Sequence, residues 1–342
     1  MTVGVAVLGY GYWGANLARN VAASSTCHLA AVADPDEGQR VTASTRHPDV
    51  RVLDGLAAVL ADDAIEAVVI ATPASTHADV AVEVLRSGRH ALVEKPLAMT
   101  SVDADRVIDA ATAAQRTLMV GHTFLYSRPV AVLRERIAQG DLGAVQYLYS
   151  QRLSLGRIRR DCNALWNFAP HDVAIMLHLL GERVVEVSAK GFAFIQPDID
   201  DVCFASLTFE SGIGANLHVS WIDPRKTRLM TVVGDQKMAI YNDVSVDQKL
   251  WIVDAGVARA EGGFGAFESL GDFQWRTRAG DIVIPQIDMV EPLLVEIDAF
   301  GTACATGAVP LADGVHGREV VRVLEAMDRS ARAGGAPVAV AG

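Results

Sequence analysis

Three short stretches of this chain combine residue types and spacings that can do chemistry. The first is Gly9-Tyr10-Gly11-Tyr12-Trp13-Gly14, a G-x-G-x-x-G sequence. It follows an apolar run, Val3–Leu8, that reads as a strand, and it opens Ala15–Ala23, which has helical potential. That context gives the pattern meaning. The first glycine permits a tight turn, the second lets backbone approach a pyrophosphate, and the third lets the helix pack close to the strand. The free N–H groups and dipole of the helix N-terminus favour the anion. About 20 residues on, Asp34 ends the next apolar run, where a carboxylate accepts hydrogen bonds from ribose hydroxyls and repels a 2′-phosphate. The expectation is NAD in preference to NADP. The plain alternatives are a glycine-rich turn and a capping or turn aspartate.

The second stretch is Glu94-Lys95-Pro96. Proline cannot donate to a strand ladder, and it holds the preceding lysine extended. A lysine fixed at the mouth of a nucleotide cleft can hydrogen-bond a substrate oxygen or join a proton relay; otherwise it is a surface lysine in a turn. The third stretch is Ala164–Asp172. If it is helical, Asn167 and His171 lie four residues apart on one face. Histidine has the pKa range of a general base near neutrality; otherwise it is a buried structural residue. Pro170 fits best in a first turn, so the helix could instead begin near Ala169, leaving Asn167 at or before its cap.

The elements that must position these residues fall into two textures. Apolar runs at Val3–Leu8, Leu29–Ala33, Glu66–Ala71, His90–Val93 and Leu118–Val120 are bounded by Gly or Pro and alternate with helical patterns such as His77–Arg86 and Val102–Ala114. That predicts an α/β fold with a doubly wound parallel sheet, in which ligands bind at the carboxyl ends of the strands. Gly9–Gly14, Asp34, Thr72-Pro73 and Glu94–Pro96 fall at those ends. After about residue 122 the pattern changes. Pro129–Gln139 reads as a connecting helix. Longer strands follow at Gln146–Leu153, Val184–Phe194, Val202–Phe209, Gly214–Trp221, Arg228–Val233 and Leu250–Val253, several with period-two alternation. With helices at Ala164–Leu180, Val290–Ala305 and Val315–Ala331, residues 123–342 read as an α+β domain with an open, largely antiparallel sheet, and residues 1–122 as the dinucleotide-binding domain.

Length and composition bound the function. The 342 residues suit about two domains. The formal charge of −11 argues against non-specific nucleic-acid binding, which needs a Lys/Arg surplus. No apolar run reaches the ~18–20 residues that span a bilayer, and no leader pattern precedes Val3, so no membrane partner is expected. Cys27, Cys162, Cys203 and Cys304 form no CxxC pair. Neither a metal site nor a redox dithiol is suggested, and reduced thiols in a cytoplasmic protein are expected.

Together, the glycine fingerprint, Glu94-Lys95-Pro96 and an open-sheet domain with His171 on its first helix resemble the glucose–fructose oxidoreductase / inositol dehydrogenase / rhizopine-catabolism (Gfo/Idh/MocA) family, over essentially the whole chain. Gly121-His122-Thr123-Phe124, Leu165-Trp166-Asn167 with His171-Asp172, and Gly280–Pro285 look like its sugar-modifying, nucleotide-sugar branch. The resemblance implies an NAD-dependent enzyme moving a hydride to or from a sugar carbon, often carbon 3. It implies Lys95 and His171 as catalytic residues. Gly9, Gly11, Tyr12, Trp13, Gly14, Asp34, Thr72, Pro73, His77, Glu94, Lys95 and His122 would line the cofactor site. Lys95, Tyr126, Asn167 and His171 would meet the substrate. Asn167 departs from the aspartate that many relatives carry, and asparagine cannot take a proton, so it is assigned to substrate hydrogen bonding. Arg157, Arg159 and Arg160 could meet a diphosphate, or form a solvated basic loop. The rivals are an inositol or free-sugar dehydrogenase and, in another class, a non-catalytic NAD-binding regulator. A homodimer or homotetramer built through the second domain is expected.

Overall fold

A computed structural model describes residues 2–258 and 276–341. Its first sheet has six parallel strands: β1 (Val3–Leu8), β2 (Cys27–Ala33), β3 (Arg51–Leu53), β4 (Ala67–Ile70), β5 (His90–Glu94) and β6 (Leu118–Gly121). They are ordered β3-β2-β1-β4-β5-β6. Helices α1 (Tyr12–Ala23), α2 (Glu37–Arg46), α3 (Leu56–Leu60), α4 (His77–Arg86) and α5 (Ser101–Ala114) connect them. Strands β1 and β4 are buried along their whole length, as strands covered on both faces must be. The strand order reverses between β1 and β4, which opens a crevice at their carboxyl ends.

The second sheet has nine described strands: β7 (Val145–Leu155), β8 (Val184–Phe192), β9 (Val202–Phe209), β10 (Gly214–Ser220), β11 (Ile222–Gly234), β12 (Met238–Asn242), β13 (Leu250–Ala258), β14 (Arg276–Val283) and β15 (Val338–Ala339). Among them β7 and β10 pair in parallel and the other neighbours antiparallel. The remaining helices are α6 (Arg128–Ala138), α7 (Ala164–Leu180), α8 (Pro292–Thr306) and α9 (Gly314–Arg332). This is the expected architecture, a Rossmann doubly wound sheet followed by an α+β domain. Elements absent from the sequence reading are α2, α3, β3, β12, β14 and β15. In α2 only Ala43 is buried, so no apolar stripe announces it; its start is fixed by Asp36, whose side chain accepts from Gln39 N–H.

The chain forms two compact units. One comprises Met1–Ser127, Val173–Ile175 and Met289–Glu325, and the other Arg128–Asp172, Met176–Asp288 and Ala326–Gly342. Residues 289–325, expected in the second domain, thus pack in the first unit. The reason lies in α8, where Leu293, Ile297 and Phe300 recur on one face and enter the core formed by β1, β2 and α1. The chain then runs beside β6, where Val120 N–H donates to the Ala312 carbonyl at 2.8 Å.

Candidate cofactor and active site

In the first unit the glycine fingerprint has the geometry its spacing predicts. Gly9 sits at φ +95°, in the region that favours glycine, and a Cβ there would lie 2.6 Å from the Ala71 carbonyl oxygen. A Cβ on Gly14 would lie 1.9 Å from the Gly9 carbonyl oxygen, so this glycine is what lets α1 close on β1. A Cβ on Gly11 would meet nothing within 4 Å. Gly11 is therefore not required by the protein's own packing, and the space over it suits a pyrophosphate. The first-turn N–H groups of α1 have no intrahelical partners, so the residues present fit a dinucleotide. Tyr12 is 82% exposed at the helix start.

Asp34 is buried, and its carboxylate accepts Tyr10 N–H at 2.6 Å and Asp36 N–H at 2.8 Å. It ties the end of β2 to the glycine loop. It does not cap α2, because Asp36 does. Arg40 donates to the carbonyls of Asp34 and Pro35 at 3.0 and 2.8 Å, which holds the turn from the other side.

The ends of β4 and β5 are bound to one another by buried polar side chains, and the end of β6 packs beside them. His77, 2% exposed, reaches the Pro96 carbonyl through Nδ1 at 2.7 Å and the Thr72 carbonyl through Nε2 at 2.9 Å. It joins the Thr72-Pro73 turn to the Lys95-Pro96 turn, and burial lowers its pKa. Glu94 accepts from Trp13 Nε1–H with one oxygen and from Lys95 N–H at 3.2 Å with the other. Burial pushes this carboxyl up to about 7, against the opposing pull of Lys95 and Trp13. Gly121 leaves room for it, since a Cβ there would lie 3.0 Å from the Glu94 carboxylate. Lys95 is half-buried, with His77 and His122 close enough to feel its charge. His122 is 2% exposed, edge-on to His316 at 5.5 Å between ring centroids. Burial, then His316 and Lys95, hold it neutral, well below the usual histidine range. Tyr126 is half-buried; its hydroxyl accepts Ala312 N–H at 3.3 Å, and burial raises its pKa.

Sequence reasoning missed Glu296 of α8. It is fully buried and accepts the Thr123 hydroxyl at 2.9 Å. Burial and the nearby Glu94 raise its pKa well above the carboxylate range, because two close carboxyls resist ionising together. A signal existed: Glu296 stands in register with Leu293, Ile297 and Phe300 on the buried stripe of α8.

In the second unit α7 starts at Ala164. Asn163 caps it by accepting Trp166 N–H at 3.0 Å, and Ala164 N–H donates to Asp200 at 2.9 Å. The alternative start near Ala169 is therefore corrected: Pro170 lies inside the helix. Its missing N–H removes one bond of the ladder, and the cap upstream holds the first turns in place. Asn167 and His171 stand four residues apart within α7, both half-buried. Asp172, next to His171, is bound by Arg152 of β7 in a two-pronged ion pair at 2.5 and 3.2 Å. Sequence reasoning missed this pair as well. Arg159 is bound to Asp161 at 2.9 and 2.5 Å, while Arg157 and Arg160 are exposed. Among the described residues no group of His, Cys, Asp and Glu could hold a metal ion, and no helix is long and apolar enough to cross a membrane.

Comparison with known proteins bears on both units. Residues 3–122 match the model of an oxidoreductase family with an NAD-binding Rossmann fold, and residues 130–240 match the GFO/IDH/MocA C-terminal domain. The chain is 29% identical over 316 residues to the UDP-N-acetylglucosamine 3-dehydrogenase of Acidithiobacillus ferrooxidans, covering 92% of this chain and 93% of that protein. The solved structure of a UDP-N-acetylglucosamine 3-dehydrogenase from the same organism superposes with a TM-score of 0.79 at 28% identity, covering 97% of this chain and 98% of that one. GenD2 from gentamicin A biosynthesis, solved in complex with NAD, superposes with a TM-score of 0.82 at 26% identity, over 100% and 97% of the two chains. Inositol 2-dehydrogenase 2 of Saccharopolyspora erythraea is 29% identical over 226 residues, 64% of this chain and 67% of that one.

Proposed function

The chain belongs to the Gfo/Idh/MocA family of NAD-dependent oxidoreductases, and from that premise we propose that it oxidises or reduces a sugar carbon, with carbon 3 of a nucleotide-linked sugar as the preferred assignment. The observation that carries this reading is the likeness to the UDP-N-acetylglucosamine 3-dehydrogenase along nine-tenths of both chains. In this reading the first unit, residues 1–122 with 289–325 packed on them, serves the cofactor, and the rest of residues 123–342 serves the substrate and oligomer assembly.

When bound, the nicotinamide supplies the hydride acceptor or donor. Gly9, Gly11 and Gly14 shape the turn that holds the pyrophosphate, with Tyr12 and Trp13 opening the helix beneath it. Asp34 receives the ribose hydroxyls and favours NAD over NADP. Thr72 and Pro73 line the same site. Glu94 and His77 hold the strand-end turns, with His122 beside the nicotinamide and Tyr126 toward the substrate. In the oxidation direction His171 takes the hydroxyl proton and Lys95 stabilises the negative charge developing on that oxygen. In reduction both roles reverse. Asn167 hydrogen-bonds the sugar, and Arg157 and Arg160 attract its diphosphate.

An inositol dehydrogenase is the second reading, supported by the likeness to an inositol 2-dehydrogenase over two-thirds of the chain. Asn167 in place of aspartate weighs against it. Oligomer formation is proposed on one face of the second sheet, where Tyr147, Tyr149, Phe192, Phe194 and Phe204 are exposed.

The test follows absorbance at 340 nm with NAD or NADH across UDP-N-acetylglucosamine, other nucleotide sugars, free sugars and inositols. Turnover of the nucleotide sugar, lost by about 100-fold or more in Lys95→Ala and in His171→Ala, is expected. Turnover confined to inositols supports the second reading. Retained turnover in both variants overturns the assigned roles. Bound NAD without turnover of any substrate points to a non-catalytic regulator.

A further inference from the structure

Helix α7 carries Asn167 and His171, and its sequence fixes only loosely which way they face. Most of its residues are buried, and the half-buried polar ones, Asn167, His171 and His178, share one narrow face. A helix with one apolar stripe is held in rotation by the need to keep that stripe from water. A narrow, half-buried polar face restrains the rotation only loosely, because the hydrophobic effect that keeps the rest from water is non-directional. Asp172 supplies a direction. Its carboxylate meets Arg152 through Nε at 2.5 Å and Nη2 at 3.2 Å, and both side chains are about 95% buried. A planar fork on a carboxylate fixes angle as well as distance.

Arg152 is itself held. It alternates with Leu148 and Ser150 on the covered face of β7, between β10 and β11. Asp243 adds to the negative field around it. Asp243 in turn accepts from Arg228 at 3.0 Å and from the Tyr241 hydroxyl at 3.2 Å. The guanidinium is thus anchored to the rigid middle of the sheet.

We propose that the Arg152–Asp172 ion pair is a positioning device that sets the rotation of α7 about its own axis, and so the direction in which Asn167 and His171 are presented. This rests on the reading of His171 as the proton-transfer group. The apolar packing decides that α7 lies on the sheet, and the ion pair decides its rotation. Buried polar groups that specify a register at a cost in stability are attested in some folds.

The experiment compares the wild type, the double variant Arg152→Met/Asp172→Leu, Arg152→Lys and His171→Ala. Replacing both charges by apolar groups of similar size avoids leaving one charge buried alone. The double variant is expected to melt within a few degrees of the wild type and to bind NAD unchanged. Its turnover of the best substrate in the panel should fall about 10- to 100-fold, mainly in kcat. Its crystal structure should show α7 rotated by more than about 10°, the tolerance of a catalytic site. If the double variant does not fold, Arg152→Lys, which keeps the charge and loses the fork, should show the same loss at smaller size. Unchanged helix rotation in whichever variant folds, or wild-type kcat alongside an inactive His171→Ala, overturns the proposal. Full turnover in His171→Ala overturns the underlying reading instead, and the crystal structure still tests the rotation.

Discussion

Two glycines of the same fingerprint should respond to alanine in opposite ways, because one serves the protein's packing and the other serves the ligand. In Gly14→Ala the new Cβ would lie 1.9 Å from the Gly9 carbonyl oxygen, a backbone atom, where contacts under 3.0 Å are essentially never tolerated. Helix α1 must back away from β1 by about an ångström, and Leu17, Ala18 and Val21 sit behind it in the core. Such overpacking costs about 3 kcal/mol or more, which lowers the melting temperature by roughly 6–12 °C. In Gly11→Ala the Cβ meets nothing within 4 Å, and φ −66°, ψ −166° is open to alanine. Restricting the unfolded chain stabilises by about 0.4–1 kcal/mol, and alanine is a poorer N-cap than glycine by a similar amount. The unliganded protein should therefore melt within about 4 °C of the wild type. NAD affinity should fall at least about tenfold, or about 1.4 kcal/mol, because the methyl occupies the space proposed for the pyrophosphate. Differential scanning fluorimetry and isothermal titration calorimetry read the two quantities separately. Wild-type NAD affinity in Gly11→Ala would refute the reasoning, since the dinucleotide would then not pass over this residue.

Three further outcomes follow from the site. The Glu94 carboxyl is raised to about 7 from an ordinary value near 4.5, so the folded state holds a proton that the unfolded chain releases. Its stabilising contribution is full below the unfolded value and is lost as pH rises through about 7; Glu296 acts in the same direction. Stability measured by urea titration should therefore fall across this window, and less steeply in Glu94→Gln; equal slopes would contradict it. Asp34→Ala should raise the NADP-to-NAD ratio of kcat/KM by about tenfold or more, and steady-state kinetics with an unchanged ratio would remove Asp34 from cofactor selection. Asn163→Ala should destabilise the second unit by about 1 kcal/mol through loss of the α7 cap, seen as a lower denaturation midpoint at unchanged slope.

The sequence by itself determined most of the first unit. Continuous apolar strands ending in Gly, Asp or Pro state a parallel sheet and mark its carboxyl edge, because both faces must be buried and the ladder must stop there. Gly9, Gly11 and Gly14 were legible because each meets a separate steric demand at fixed spacing. What could not be read is where side chains far apart in the chain meet. Glu296 lies 202 positions after Glu94, and only the docking of α8 brings their charges together. The bond from Trp13 to Glu94 joins the fingerprint to the Glu-Lys-Pro turn across 81 positions. For α7 the helix read at Ala164–Leu180 is the one found, although one local signal spoke against its first turns. Pro170 argues for a later start, and the cap at Asn163 with the anchor at Asp200 overrides it, since tertiary contacts outweigh one lost ladder bond. Nothing in the sequence links Arg152, inside one strand pattern, to Asp172, noted only as the neighbour of His171. Only the fold buries both, and burial is what turns two solvated charges into a directional bond.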